Sequence, residues 1–456
     1  MRDLCSRMAH CTKENDMLLG GWGKFPMQDV CLHTPRTEAD LIQCVLKGHA
    51  IARGNGRAYG DSAVSPHNTV QMRYFNRLLA FDEETGCLVA EAGVLLADII
   101  STFLPRGWFP YVTPGTRFVT LGGMVAADVH GKNHHRDGSL RQFIEWIEMV
   151  DADGVVQHCS RQQQASLFAW TIGGMGLTGV VLRVAMRLRP VETGWIKKTM
   201  IPARNLDAVM DQFEQAQSAT YSVAWIDCLS TGKQLGRSLI MLGEHAQQDE
   251  LGEQQCAQRY PLSNTTNLSV PFFMPRKLLN NWTVRAFNQL YYWRSARQAG
   301  THFVEWDSYF YPLDTILGWN KIYGRKGFIQ FQCVFPLAQS KAGLRALLEV
   351  IAHAKAGSFL AVLKRLGEQN SPYSFPLSGY TLALDFPVTT ANLALLTILD
   401  QVTLAYDGRF YLAKDSRMSA ETLRRADPRT LDFVRMREDE RMHSRFCSAQ
   451  SIRLAL

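Results

Sequence analysis

No run of 18 or more apolar residues occurs in this chain, so a membrane-spanning helix is not expected. The opening MRDLCSRMAHCTKEND carries charge but no apolar core, so no secretory leader is expected and a cytoplasmic setting is. Ten cysteines are scattered without a C-x-x-C pair, which argues for reduced thiols over a zinc ribbon or a disulfide framework. Charge of one sign is not in great excess: 49 Lys and Arg against 42 Asp and Glu leave +7. That is too little to argue for nucleic acid, and no basic–aromatic array stands out. It is compatible with an anionic substrate or peripheral contact with an acidic membrane, a solvated basic face being the plainer explanation. Internal repeats and low-complexity tracts are also missing. What remains, 46% hydrophobic and 20% charged over 456 residues, describes a globular protein of two or three domains.

The first third alternates short strands and helices. TEADLIQCVLKGH has the apolar rhythm of a helix with Thr37 as N-cap, and AIAR follows as a strand. LLAFDEETGCLVAEAG reads as a hairpin around Thr85-Gly86, and FIEWIEMVDADGVVQHCS as another with its turn at Asp153-Gly154. Between them LLADIISTFLPRG is a helix stopped by Pro105 and Gly107, and GVVLRVAMRLRPV is an alternating strand ending at Pro190. This order is mixed α+β, without the regular βαβ repeat of a doubly wound sheet. From about Trp195 long helical segments alternate with aromatic-rich strands such as GFIQFQCVFP and YTLALDFPV. From about Gly408 an Arg-rich, helix-prone tail begins with GRFYLAKDSR.

Four glycine-bearing segments stand out before residue 181: RGNGRAYGDS, TPGT, TLGGMVAADVHG and TIGGMGLTGVV. Glycine lets backbone approach a ligand closely and frees amides to meet anionic oxygens. Gly54, Gly56 and Gly60 are spaced G-x-G-x-x-x-G, one residue off the dinucleotide fingerprint, and no G-K-[ST] follows. Neither nicotinamide-type Rossmann binding nor a P-loop is supported. One such loop alone is usually a turn. Four in one domain suit a long ligand with a pyrophosphate in its middle.

The strings ARGNGRAYGDSAV, PGTRFVTLGGMVAADVHGKNHH, GGMGLTGVVLR and YLAKDSR resemble the flavin-dependent oxidases of the vanillyl-alcohol oxidase fold. Within that group the chain is most similar to the branch that oxidises decaprenylphosphoryl-β-D-ribose at its 2′-position, the flavoenzyme half of a two-protein epimerase. The similarity runs from about Gly21 to the C-terminus and includes YSVAWID, LGRS, FIQFQ, SFPLSGY and LDFP. It implies an α+β fold of two domains: a PCMH-type FAD-binding domain from residues 1–194, rejoined by 409–456, and a substrate cap of antiparallel sheet and helices from 195–408. It implies FAD contacts at Arg53, Gly54, Asn55, Gly56, Arg57, Ala58, Tyr59, Gly60, Asp61 and Ser62. Further contacts fall at Gly115, Thr120, Leu121, Gly122, Gly123, Ala127, Asp128, Val129, His130, Val180 and Tyr411. Some members of the wider fold tether FAD through a histidine in the first glycine loop. Here Gly54 to Gly60 contain neither histidine nor cysteine, so non-covalent FAD is expected.

The implied reaction oxidises a secondary alcohol, with a hydride passing to flavin N5 and the hydroxyl proton going elsewhere. Lys414 matches the family's active-site lysine. As a base it must be brought from ~10.4 to near 7, at ~4 kcal/mol of desolvation and repulsion. As a cation beside the flavin it needs no such shift and stabilises the arriving negative charge, which is the more economical role. His130, Tyr59 or a water then remain as proton acceptors. DVHGKNHHRDGS also admits a metal reading, since His130 and His134 four apart would share a helix face. It has no acidic partner motif of the H-E-x-x-H kind and the family uses no metal, so none is expected. His134 and His135 are read as locally hydrogen-bonded.

Trp225, Gln330, Gln332 and Lys364 match positions lining the family's substrate side, and Lys132 and Thr381 are further substrate-side candidates. Lys364 suits a phosphate, Lys132 an anionic substrate or the positioning of the flavin, and the glutamines sugar hydroxyls; alternatively, Trp225 is core and the glutamines are an outward strand face. Where the branch carries an asparagine and a reactive cysteine, this chain has Thr381 and Ala383. A related glycosyl lipid or polyol is therefore an open substrate. An aldonolactone-type oxidase of the same fold and a catalytically silent flavin-binding subunit are the rival readings. Epimerisation implies a separate NAD(P)H-dependent short-chain reductase as partner.

Overall fold

Thr37 caps its helix as expected: its hydroxyl accepts the Asp40 amide at 3.1 Å, and Glu38–Leu46 buries Leu41, Cys44 and Val45. The computed structural model describes residues 16–262, 268–274, 281–358 and 360–456. Residues 1–15, on which the expectation about a leader rests, lie outside these. The strand Ala50–Arg53 joins a four-stranded sheet in the order Asp16–Gly20, Met27–His33, Asn68–Gln71, Ala50–Arg53, the first pair antiparallel and the other two parallel. Both expected hairpins form, Leu78–Asp82 with Cys87–Glu91 and Ile144–Val150 with Val156–Ser160. Gly86 and Gly154 turn at φ of 69° and 79°, where only glycine is unstrained. Both hairpins flank Val180–Pro190 in an antiparallel sheet. That strand does not alternate as its sequence suggests. It is central, so Val180 and Leu182 enter one apolar cluster while Val181, Val184 and Met186 enter another.

The remaining large sheet is antiparallel throughout. Its order is Gly300–Glu305, Trp195–Ala203, Ser238–His245, Tyr221–Ile226, Ala361–Leu366, Gly379–Pro387, Phe328–Pro336 and Arg409–Phe410. One face is apolar: Phe331, Cys333, Phe335, Leu382, Leu384 and Phe386 pack under Leu206–Gln215, Leu337–His353 and Thr390–Ala405. The opposite face is also covered, yet it carries Gln330, Gln332, Thr381 and Asp385, all buried. Buried polar rows on a sheet are costly unless satisfied, and they mark the face on which chemistry is built. The fold class is thus the expected α+β, with antiparallel sheets and helices. Among the described residues no helix is long and apolar enough to cross a membrane.

The tail ties the sheets together. Arg409–Phe410 pairs with Phe328–Pro336, and the chain then returns to bridge Phe446 to Ala50. Arg453 in Ala449–Leu454 meets Asp61 at 2.7 Å and Asp415 at 2.9 Å, both carboxylates almost fully buried. Removing the cation from such a site leaves two buried like charges. Arg453→Leu is expected to lower stability by about 3 kcal/mol or more in urea unfolding followed by tryptophan fluorescence; a loss below about 1 kcal/mol would show that solvent reaches the pair.

Candidate active site

The first glycine loop is stitched to the tail and to the large sheet by its backbone. The amide of Tyr59 donates to the Ala413 carbonyl at 3.0 Å, and the carbonyls of Ala58 and Tyr59 accept from Trp22 and Gly23. A Cβ on Gly60 would lie 2.1 Å from the Asp415 carbonyl, and one on Gly54 2.1 Å from Thr120 Oγ1. Two glycine segments therefore touch, and neither tolerates alanine there. Arg53 donates to the Gly20 carbonyl at 2.9 Å, Asn55 to Phe118 at 2.8 Å, and Arg57 lies over the Trp22 ring at 4.0 Å. Gly115 is exposed with open space around it, and Gly123 is exposed beside Thr120. The amides of Leu121 and Gly122 are spent on the carbonyls of Val94 and Ala92. Ser62 is buried, Asp61 is held by Arg453, and Leu121, Val129 and Val180 lend their side chains to the apolar core.

Asp128 sits at a φ of 39°, a left-handed backbone that a β-carbon disfavours. Its carboxylate accepts from the Ser139 hydroxyl at 2.9 Å, the Arg141 amide at 3.0 Å and Gln369 Nε2 at 2.9 Å, which over-determine the turn. The turn presents His130. The helix that His130 and His134 were expected to share begins only at His134, so the four-residue spacing does not stack them; their rings meet edge-on at 6.2 Å. His134 accepts the Gly367 amide at Nδ1 and donates from Nε2 to Gln369. His135 donates from Nε2 to the Ala219 carbonyl. Both fit the hydrogen-bonded reading.

The polar face of the large sheet supplies the opposite wall. Cross-strand partners put Gln332 beside Ala383, Ala383 beside Val362 and Val362 beside Trp225 in one row. Thr381 stands opposite Lys364, and Gln330 opposite Asp385. The glutamines are buried, so the outward-face alternative does not hold; Trp225 is buried too, against Tyr291, Met200 and Leu239. Cys333 lies on the other face of its strand. Thr381 gives its hydroxyl proton to the Cys333 carbonyl and accepts from Gln332 Nε2 at 3.2 Å. This fixes the amide's orientation, so the Nε2 that lies 3.3 Å from His130 Nε2 is a donor there as well. The His130 proton therefore sits on Nδ1, which has no partner. From the tail, the Tyr411 hydroxyl donates to the Ala127 carbonyl at 3.1 Å, and Lys414 Nζ lies 3.8 Å over the Tyr59 ring.

Electrostatics set this wall apart. Burial lowers Lys414 to about 7, with Asp385 opposing and Lys364 assisting. Burial lowers Lys364 to about 8, and burial with Lys364 and Lys198 lowers Lys132 to about 7. Lys132 donates to the Tyr309 carbonyl. His130 is held well below its ordinary value by burial, then by Lys364, His134 and Lys414. Burial holds the Tyr59 phenol well above 10. All three lysines nonetheless keep partial exposure. Buried Arg57 Nε, Thr113 Oγ1, His130 Nδ1 and Ser416 Oγ lack partners in the same region. Orphan donors, desolvated lysines and close-backbone glycines fit an oxygen-rich anionic group such as FAD.

Sequence reasoning missed Asp385, Tyr323 and Gln369. Asp385 is fully buried and is pushed up to about 7 by burial, while accepting from Gln330 Nε2 at 2.6 Å and from Tyr323 at 3.5 Å. Its sole sequence signal was an acidic residue inside an otherwise apolar strand, LALDFP.

A family model described as FAD binding domain matches residues 31–160. Decaprenylphosphoryl-beta-D-ribose oxidase of Mycolicibacterium smegmatis is 34% identical over 96% of this chain and 97% of that protein. An uncharacterised Streptomyces coelicolor protein is 33% identical over 79% of this chain and 99% of its own length. Mouse L-gulonolactone oxidase is 27% identical, over 35% of this chain and 37% of its own.

A lysine held at about 8 in the fold and ~10.4 unfolded weakens the fold wherever both states are charged. Lys364→Met is therefore expected to raise stability, by about 1–3 kcal/mol, in urea titrations of the purified protein below pH 8. Above pH 8 the unfolded chain binds more protons than the native one, so wild-type stability climbs and the gain fades by about pH 10.4. A variant less stable than wild type at pH 7 would refute the unpaired-cation account.

Proposed function

Given that the chain belongs to the decaprenylphosphoryl-β-D-ribose oxidase family of FAD-dependent oxidoreductases, we propose that it oxidises the 2′-hydroxyl of a polyprenyl-phosphoryl ribose, or of a related glycosyl lipid, to a keto sugar. The observation that carries this is the wall on which Lys414, Lys364, Lys132 and His130 converge. Residues 1–194 and 409–456 hold FAD and 195–408 form the substrate cap. FAD held there would supply the acceptor for the hydride leaving the carbinol carbon.

The protein's own task is the hydroxyl proton. The Tyr59 phenol stays protonated and cannot take it. His130 Nε2 already accepts from Gln332, leaving an Nδ1–H that only donates. Lys414, at about 7, is half neutral at neutral pH and accepts the proton as an amine. The ammonium so formed then stabilises negative charge in the cleft. Lys364 and Lys132 meet the phosphate, which restores their full charge. Gln332 and Gln330, the latter oriented by Asp385, hydrogen-bond the sugar. Thr381 and Ala383 widen this wall and leave no cysteine for a thiol-directed ligand beside Gln332. A separate NAD(P)H-dependent reductase completes the epimerisation, and the enzyme meets its lipid substrate by peripheral membrane contact. FAD is held without a covalent bond.

Anaerobic titration with a polyprenyl-phosphoryl pentose should bleach the oxidised flavin bands. Lys414→Ala should keep the bands and slow bleaching by about 100-fold or more; equal rates would remove Lys414 from the chemistry. Bands that no sugar bleaches would favour a silent flavin-binding subunit. Acid precipitation should leave all yellow colour in the supernatant, whereas colour in the pellet would demand a covalent tether.

A further inference from the structure

The modest net charge hides a local one. Between Glu253 and Glu305 there is no Asp or Glu, while Arg259, Arg276, Lys277, Arg285, Arg294 and Arg297 all fall there. The described core of this stretch is the helix Asn281–Ala296, whose inner face buries Val284, Asn288 and Ser295. Asn288 Nδ2 donates to Asp227 Oδ1 at 2.8 Å, and Tyr291 meets Trp225 edge-on at 5.0 Å. The outer face ought to be polar. Instead Leu290 is 64% exposed, Trp293 54% and Trp282 80%, and they follow one another at helical spacing on one outward stripe. A monomer seldom leaves such a stripe to water.

We propose that this helix docks the protein onto an anionic lipid surface, its tryptophans and leucine entering the interface and its arginines meeting the headgroups. Tryptophan and arginine suit that boundary, each having an apolar body and a polar end. Arg297 already lies 3.4 Å over the Trp293 ring, a pairing that carries the cation to the edge of the apolar stripe. A second copy of this chain fits poorly, because a symmetric contact would oppose the same cations. Nucleic acid would use the arginines but leave Leu290 without an apolar partner.

The helix also roofs Trp225, which shares a cross-strand row with Gln332. A surface that binds here therefore adjoins the substrate wall. That consequence for substrate delivery rests on the lipid-linked sugar reading, whereas docking itself does not.

The test is co-sedimentation of the flavin-loaded enzyme with vesicles of phosphatidylcholine, with or without about one third phosphatidylglycerol. Wild type should sediment at least ~10-fold better with the anionic vesicles, and less as salt is raised. The double substitution Leu290→Asp with Trp293→Asp should reduce sedimentation ~10-fold, while flavin absorbance and melting temperature stay unchanged. Should that variant misfold, Arg285→Gln with Arg294→Gln gives the same comparison through charge alone. Wild type that stays in the supernatant with both vesicles, folded variants that sediment equally well, tighter binding to a single-stranded oligonucleotide, or a dimer abolished by the same substitutions would each overturn the proposal. The vesicles contain no sugar, so failure of the substrate reading appears separately, as docking without bleaching.

Discussion

Lysines desolvated by burial are the constraint to which this fold answers. Lys132, Lys364 and Lys414 come from three different parts of the chain, yet each is desolvated and Lys364 lowers both of the others. Asp385 is the carboxylate set against Lys414. A protein that wanted only stability would replace such groups with apolar ones of equal volume. Holding them in place demands a rigid frame, and much of the local structure reads as that frame. The Asp128 turn is kept in an unfavourable backbone region by Ser139, Arg141 and Gln369. Tyr411 is anchored to Ala127, and the loop before Tyr59 is sewn to the residues flanking Lys414.

The frame also accounts for the return of the tail. If Lys414 stood on a loop of either large element alone, breathing between them would move it. The chain instead places it between a strand hydrogen-bonded to Phe328–Pro336 and a helix whose Arg453 clamps Asp61 and Asp415. Asp61 lies in the first glycine loop and Asp415 is the neighbour of Lys414, so a single guanidinium fixes the lysine relative to the loop.

What the sequence revealed follows from the range of its signals. Thr37 with its helix and the hairpins at Gly86 and Gly154 are local, and local chemistry specifies them. The glycine strings and AKDSR carry the resemblance to a flavin-binding family, and close backbone approach is one reason residue type is restricted in the glycine strings. Asp385 was hidden because one acid in an apolar strand has no local meaning. It matters through Gln330 and Lys414, which sit 55 and 29 positions away in the chain. The same holds for Val180–Pro190, whose apparent alternation gives way because sheet position, which strand pairing decides, buries both its faces. His130 and His134 misled in the opposite direction: spacing suggested a shared helix face, but a helix does not extend back to His130.

The two roles considered for Lys414 are successive protonation states of one group. A lysine at 10.4 could serve only as a cation, and one far below 7 only as a base that never charges. At about 7 the free energies of its two forms are nearly equal, so a small change in the cleft selects between them. An incoming phosphate near Lys364 shifts the balance toward the ammonium, whereas withdrawal of Lys414 from Asp385 shifts it toward the amine. Catalysis of alcohol oxidation needs the amine before hydride departure and the ammonium after it. If Lys414 takes the hydroxyl proton as proposed, a site in which burial, one carboxylate and one further lysine compete to hold that balance would serve both halves of the step, and removing either the burial or the carboxylate would cost one of them.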